Sequence, residues 1–225
     1  MKEIVFFDLD GTLIEGQSQL AFLSFIRKKK LLKTSAFLKI LVGFLFYKLG
    51  IVPNPKGPLE YFFSLTPLTA SSYSQMDKLA DDFVKHILSE CVYQEGKEII
   101  QKHKKEGRLV VLISGTVDTI TSRIAHLLGI DEVISTELER GSKHYLAKII
   151  GNVVFGEEKV ARIKKYCEEK GGDLSTAWAY GNHQSDLPML KVVGYPTAIN
   201  PDWILKRYAQ KHNWPILHFS RASKV

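Results

Sequence analysis

The sequence predicts an α/β protein: a doubly wound parallel sheet with an all-helical block inserted after its first strand. Three observations carry that expectation. Ile4-Val5-Phe6-Phe7 is a continuous apolar run without helical period, as in a strand buried on both faces. From Gly96 onward, short apolar runs alternate with amphipathic helical patterns, which argues parallel strands joined by right-handed crossovers. Between these regions lie only helical patterns, interrupted by turn residues.

Taken in order, residues 18–33 and 36–50 are rich in Leu, Phe, Ile and Lys and predict two helices. Pro53, Pro55, Gly57 and Pro58 predict a loop. Residues 76–88 predict a further helix, with Ser71, Ser72 and Ser74 as capping candidates. A helix over 97–106 ends at Gly107, and 108–113 reads as a buried strand leading into the turn Ser114-Gly115-Thr116. A helix over 117–128 closes at Gly129, and 132–136 is a candidate strand. Residues 145–155, broken by Gly151-Asn152, suggest a hairpin. Helices over 157–170 and 202–211 and strands over 176–180, 196–199 and 216–219 complete the pattern. The helical block is thus a lid on the sheet.

A hydrophobic fraction of 45% and a charged fraction of 24% are ordinary for a folded globular chain. Asp8 and Asp10 fall where the apolar region of a secretory leader would lie, so no signal peptide is expected. Cys91 and Cys167 are too few for a disulfide framework, which points to a reducing cytoplasm. The charge is unevenly placed. Between Glu15 and Lys56 stand Arg27, Lys28, Lys29, Lys30, Lys33, Lys39, Lys48 and Lys56 against Glu15 alone, an excess equal to the +7 of the whole chain. Such a patch suits a phosphorylated small molecule or an anionic membrane surface, giving a peripheral location as an alternative. Nucleic acid is not expected, because the basic run is short and no recognised binding motif accompanies it. Residues 36–52 are strongly apolar, yet Lys39 and Lys48 interrupt them, leaving too short a run to span a bilayer. Burial within the lid or contact with a lipid surface are the two readings.

The candidate chemistry begins where the first strand ends. Gly11 breaks the strand after Asp8-Leu9-Asp10, so two carboxylates stand at its C-terminal end, where open α/β sheets bind ligands. Residues two apart project to one side of a strand. Carboxylates crowded in this way persist when a cation bridges them or when they divide labour as nucleophile and acid/base. Turn formation after the strand is the plainer alternative.

Four elements fall at predicted strand ends or helix starts in a fixed order: Asp8-x-Asp10-Gly11-Thr12, Ser114-Gly115, Lys159, and Gly181-Asn182-His183-Gln184-Ser185-Asp186. In this order they resemble the haloacid dehalogenase superfamily, in particular its phosphoserine phosphatase-like subfamily with a helical cap. The resemblance implies a Rossmann-like core of residues 1–14 and 91–225, a cap of residues 15–90, and a magnesium-dependent phosphomonoesterase. It implies that Asp8 attacks phosphorus to form an aspartyl-phosphate, and that Asp10 protonates the leaving group and then activates water. It implies that Thr12, Ser114, Gly115 and Lys159 receive the phosphoryl oxygens, and that Mg2+ is held by Asp8, Asp10, Asn182 and Asp186.

Two departures from the family pattern bear on function. The last motif ordinarily begins Gly-Asp, whereas here it is Gly181-Asn182, which removes one negative charge from the metal site. A catalytically weak or silent phosphate-binding or membrane-docking member is therefore the rival expectation. His183 beside it is a poor magnesium ligand, and an exposed loop histidine is expected. At the position where phosphoserine phosphatases carry a substrate-contacting glutamate stands Gln17. A more anionic or more apolar phosphate ester, including a lipid-linked one, is expected instead of phosphoserine.

Overall fold

A computed structural model describes residues 2–48, 56–66, 69 and 71–220. Strand β1 (Ile4–Phe7) is buried at every position, and its side chains divide by parity between two apolar layers. Val5 and Phe7 join Ile100, Val110, Leu112 and Ile124 on one face. Ile4 and Phe6 join Val111, Ile113, Ile163 and Ala179 on the other. Each such side chain contributes about 1.5–3 kcal/mol by leaving water, which fixes β1 at the centre of the fold.

The sheet adds β2 (Leu109–Val117), β3 (Glu132–Arg140), β4 (Tyr145–Ile150), β5 (Trp178–Gly181), β6 (Tyr195–Ile199) and β7 (Ile216–Leu217), in the spatial order β4-β3-β2-β1-β5-β6-β7. All neighbours pair in parallel except β3 with β4. Beside β1 the order reverses, with β2 on one side and β5 on the other, which makes the C-terminal edge of these three strands the switch point.

Helices α1 (Ser18–Lys28), α2 (Thr34–Lys48), α3 (Lys56–Ser64) and α4 (Tyr73–His86) are inserted between β1 and α5 (Gln94–Lys105). Two backbone bonds pin the ends of this insertion together: Glu15 donates its N–H to the Cys91 carbonyl at 2.8 Å, and Tyr93 donates to that of Leu13 at 3.0 Å. Ser72 caps α4 with the reciprocal Ser72–Gln75 box. The insertion shares one apolar cluster with the sheet, Phe22, Ile26, Phe63 and Phe83 packing continuously with Val5 and Phe7. The remaining helices are α6 (Asp118–Leu128), α7 (Glu157–Lys170), α8 (Leu187–Lys191) and α9 (Trp203–Lys211).

Three local expectations change. Gly57 and Pro58 lie in the first turn of α3 and not in a loop. An N–H is unneeded there, so proline costs little. Pro53 and Pro55 lie outside the described residues. The hairpin is made by β3 and β4, turning where Gly141 donates its N–H to the His144 carbonyl at 2.9 Å, and Gly151-Asn152 merely follows β4. Finally, β2 runs past Ile113 to Val117, with a register shift between Ser114 and Val117 against β3.

Candidate active site

Asp8 follows the last residue of β1 and keeps a strand-like bond, its N–H donating to the Tyr180 carbonyl at 3.0 Å. The chain then turns tightly: the Leu9 carbonyl accepts from the N–H groups of Thr12, Leu13 and Ile14 at 3.2, 2.9 and 3.1 Å. Gly11 has φ +81°, and a Cβ there would fall 2.0 Å from Asn182 Nδ2. Left-handed backbone and close approach together require glycine at this position. The turn directs Thr12 back to the strand end, where its hydroxyl donates to Asp8 Oδ2 at 3.1 Å and lies 3.5 Å from Asn182 Oδ1.

On the other side of Asp8, the first turn of α7 brings in Lys159. Its Nζ donates to Asp8 Oδ1 and to Asp186 Oδ1, both at 2.6 Å. All three are nearly sealed from solvent, at 7% exposure for Asp8, 2% for Lys159 and 1% for Asp186. Asp186 closes a 3₁₀ turn after β5, and its Oδ2 accepts the backbone N–H groups of Asn182 and His183 at 3.1 and 3.2 Å. Both oxygens of Asp186 are thereby engaged. His183 is exposed, and its Nδ1 accepts the Ser185 N–H at 3.2 Å, as expected of a loop residue.

Asp10 belongs to a separate network. Its Oδ1 accepts the Ser18 N–H at 2.7 Å at the start of α1. Its Oδ2 accepts from the Ser18 hydroxyl at 3.1 Å and the Thr116 hydroxyl at 3.2 Å, and these hydroxyls lie 2.8 Å apart. Ser114 Oγ accepts the Thr116 N–H at 3.1 Å, and Gly115 O accepts from the Gln19 amide at 3.4 Å. The structure therefore brings Asp8, Thr12, Lys159, Asn182 and Asp186 into one contact set, with Asp10 and Ser114 joined through Thr116 and Gly115 held by Gln19. No sequence motif named above marks Ser18 or Thr116 as a site residue. Their signals were a serine opening an apolar helix and a threonine in Ser-Gly-Thr after a buried strand. Gln17 is exposed and contributes no side-chain cap to α1.

Burial acts on the two carboxylates in the same direction, and their partners differ. Burial, aided by the Asp186 charge, pushes Asp8 up to about 7 despite the Lys159 ammonium. Burial raises Asp10 too, with the Ser18 and Thr116 hydrogen bonds opposing it. For Lys159, burial disfavours the ammonium, yet the Asp186 and Asp8 carboxylates outweigh it and lift its pKa above the usual lysine range. Two carboxylates, Asp8 and Asp186, thus hold one ammonium. This excess of negative charge and the oxygen donors of Asp8 and Asn182, both reached from Thr12, suit a hard divalent cation. Among the described residues no three His, Cys, Asp or Glu side chains converge, and the third side chain beside Asp8 and Thr12 is the Asn182 amide.

The haloacid dehalogenase-like hydrolase family model matches residues 5–191. A histidinol-phosphatase from Neisseria meningitidis serogroup C (strain 8013) is 30% identical over 228 residues, covering 97% of this chain and 100% of that protein. Among solved structures, a protein of unknown function from Bordetella pertussis Tohama I superposes with a TM-score of 0.88 at 23% identity, over 96% of this chain and 99% of that one. A substrate-bound phosphoserine phosphatase superposes with a TM-score of 0.69 at 21% identity, over 96% and 93% respectively. These two likenesses concern the fold.

Proposed function

The chain belongs to the haloacid dehalogenase-like hydrolases, and on that premise we propose that this phosphatase cleaves small phosphate monoesters through an aspartyl-phosphate formed on Asp8. The observation that carries the reading is the division of labour between two aspartates one residue apart. Asp8 is held by Lys159 and Thr12, whereas Asp10 is held by Ser18 and Thr116. A nucleophile must be ionised and aimed, and an acid must keep its proton near neutral pH. The Lys159 ammonium favours the first at Asp8 against the burial that raises its pKa, and burial of Asp10 acts in the direction of the second.

In the proposed sequence, Asp8 attacks phosphorus in line while the ester P–O bond breaks and Asp10 gives its proton to the leaving oxygen. Asp10, now a carboxylate, takes a proton from water as that water attacks phosphorus. The bond from phosphorus to Asp8 then breaks, releasing inorganic phosphate and restoring both residues. Lys159 Nζ, Ser114 Oγ and the backbone at Gly115 would receive the phosphoryl oxygens, whose charge otherwise repels the nucleophile. Mg2+ held by Asp8, the Asp10 carbonyl and Asn182 would neutralise the remaining charge at phosphorus. With both oxygens engaged by Lys159 and backbone N–H groups, Asp186 serves in this reading to position Lys159.

Residues 15–90 act in this reading as the cap over a core of residues 1–14 and 91–225. The relative at 30% identity is named for histidinol phosphate, which makes that ester the first substrate to test. Phosphoserine has less support, because Gln17 is uncharged and exposed. A lipid-linked phosphate is the third arm of the panel. Phosphate release from the three esters, with and without Mg2+, tests the proposal. Mg2+-dependent turnover of at least one supports it, and no release from any at saturating Mg2+ contradicts it.

A further inference from the structure

Helix α2 buries one face and leaves the opposite face apolar. Phe37, Ile40 and Leu41 pack inward against the core at helical spacing. Leu38, Val42 and Phe46, each one turn from the next, are 55%, 49% and 46% exposed. A helix on the surface of a globular protein ordinarily carries charge on such a face. Here the sequence provides only Lys39 and Lys48 within the helix, and no acid anywhere from residue 16 to residue 59.

The basic end of α1 lies against this helix. The Arg27 guanidinium sits 4.2 Å over the Phe37 ring. Lys28, Lys29, Lys30 and Lys33 follow and are exposed, as is Lys39. Lys29 is engaged with Asp82 at 2.8 Å. Leu31, in the same connection, is 49% exposed. The insertion therefore exposes an apolar stripe with Lys39 on the same helix, and further exposed lysines in the connection between α1 and α2.

We propose that this face docks on an anionic phospholipid bilayer, with Leu38, Val42 and Phe46 entering the headgroup boundary and Lys28, Lys30, Lys33 and Lys39 meeting lipid phosphates. Charge complementarity selects this occupant. A second copy bound through the same face by a two-fold axis would oppose two identical sets of lysines, a repulsive arrangement. A bilayer with negative headgroups neutralises these lysines and accepts the stripe in one boundary layer. Among the described residues no helix is long and apolar enough to cross a membrane, so the helix lies on the surface. Docking goes beyond the proposed chemistry and is measured without turnover.

The test sediments the full chain with vesicles of phosphatidylcholine alone or mixed with phosphatidylglycerol, at low and high salt. The protein is expected to pellet with the mixed vesicles at low salt, to leave them as salt rises, and to ignore the neutral ones. The variants Leu38→Ser/Val42→Ser/Phe46→Ser and Lys28→Ala/Lys30→Ala/Lys33→Ala should each lower partitioning, the second by roughly a hundredfold. Both should keep the wild-type far-ultraviolet circular dichroism, since the changed side chains are exposed. Several results would overturn the proposal: no pelleting with mixed vesicles at low salt, equal binding to both lipids, binding indifferent to salt, or variants that bind like the wild type. So would a dimer in analytical ultracentrifugation that the apolar-stripe variant dissociates.

Discussion

The two halves of the molecule carry charge in opposite ways. At the C-terminal edge of the sheet, Asp8, Asp186 and Lys159 are buried, and Lys159 donates to each carboxylate at 2.6 Å. In the helical insertion, Lys28, Lys30, Lys33 and Lys39 stand in solvent, as do Leu38, Val42 and Phe46. The buried set is preorganised, so one changed atom alters the whole. Charges at the surface are screened by salt and act nearly independently. Among the described residues, Ser18 and Gln19, at the start of α1, reach from the insertion into the site. Chemistry and surface attachment are therefore separable by mutation.

The largest effect should come from Asp8→Asn, which keeps the shape and removes the attacking oxygen. Steady-state assays should show turnover reduced by a factor of about a thousand or more. Activity within tenfold of wild type would break the contrast between the halves. The same variant should melt higher than wild type in metal-free buffer at pH 8. Asp8 titrates at about 7 in the fold against 3.8 as its ordinary value, so the native state keeps a proton that the unfolded chain has lost. Stability from this group therefore falls as pH rises from about 4 to about 7, and asparagine escapes that loss, by about 1–3 kcal/mol above pH 7. At pH 4 the two melting curves should nearly coincide.

A smaller effect is expected from Asn182→Asp. Restoring a carboxylate beside Asp8 should lower the Mg2+ concentration for half-maximal activity about tenfold, equivalent to ~1.4 kcal/mol of affinity. Coincident Mg2+ titrations would place Asn182 outside the metal's ligands. Wild-type inertness at every Mg2+ concentration, with turnover by the variant, would mean that the natural chain is a silent member of its family.

Smaller still is Thr116→Val. It removes one hydroxyl from Asp10 Oδ2, worth about 1 kcal/mol, so kcat should fall about five- to tenfold with KM little changed. That hydrogen bond holds the Asp10 pKa down. The alkaline limb of the kcat profile should therefore move to higher pH. At the bottom of the scale, Lys30→Ala should leave kcat on a soluble ester within about twofold, as expected of an exposed surface charge.

Most of the site was legible because its residues stand at the ends of strands that announce themselves. Ile4–Phe7 could only be a doubly buried strand, and its C-terminal end fixed Asp8 and Asp10 in place. Lys159 and Asp186 were readable as motifs, yet nothing local shows that Lys159 bridges both carboxylates, a contact spanning 151 residues to Asp8. Ser18 and Thr116 escaped for a related reason. Residues 114–116 look like a turn, but pairing with β3 keeps them in β2, and the register shift there presents Thr116 to Asp10. Proline chemistry misled at Pro58, because its local signal is shared by loops and first helical turns. The outward apolar face of α2 was hidden as well. Periodicity marks a helix as apolar on all sides without telling which side meets the core.

A covalent bond between phosphorus and Asp8 is the central step of the proposed reaction, and trapping it is the most direct test. Asp10→Asn keeps the nucleophile while removing the base that activates water, so an aryl phosphate with a good leaving group should load the enzyme and stall. Acid quench, proteolysis and mass spectrometry should then find the phosphoryl group on Asp8, at close to one per chain, and none in the Asp8→Asn/Asp10→Asn double variant. Phosphate on any other residue, or steady aryl phosphate cleavage with an unmodified Asp8, would contradict the mechanism.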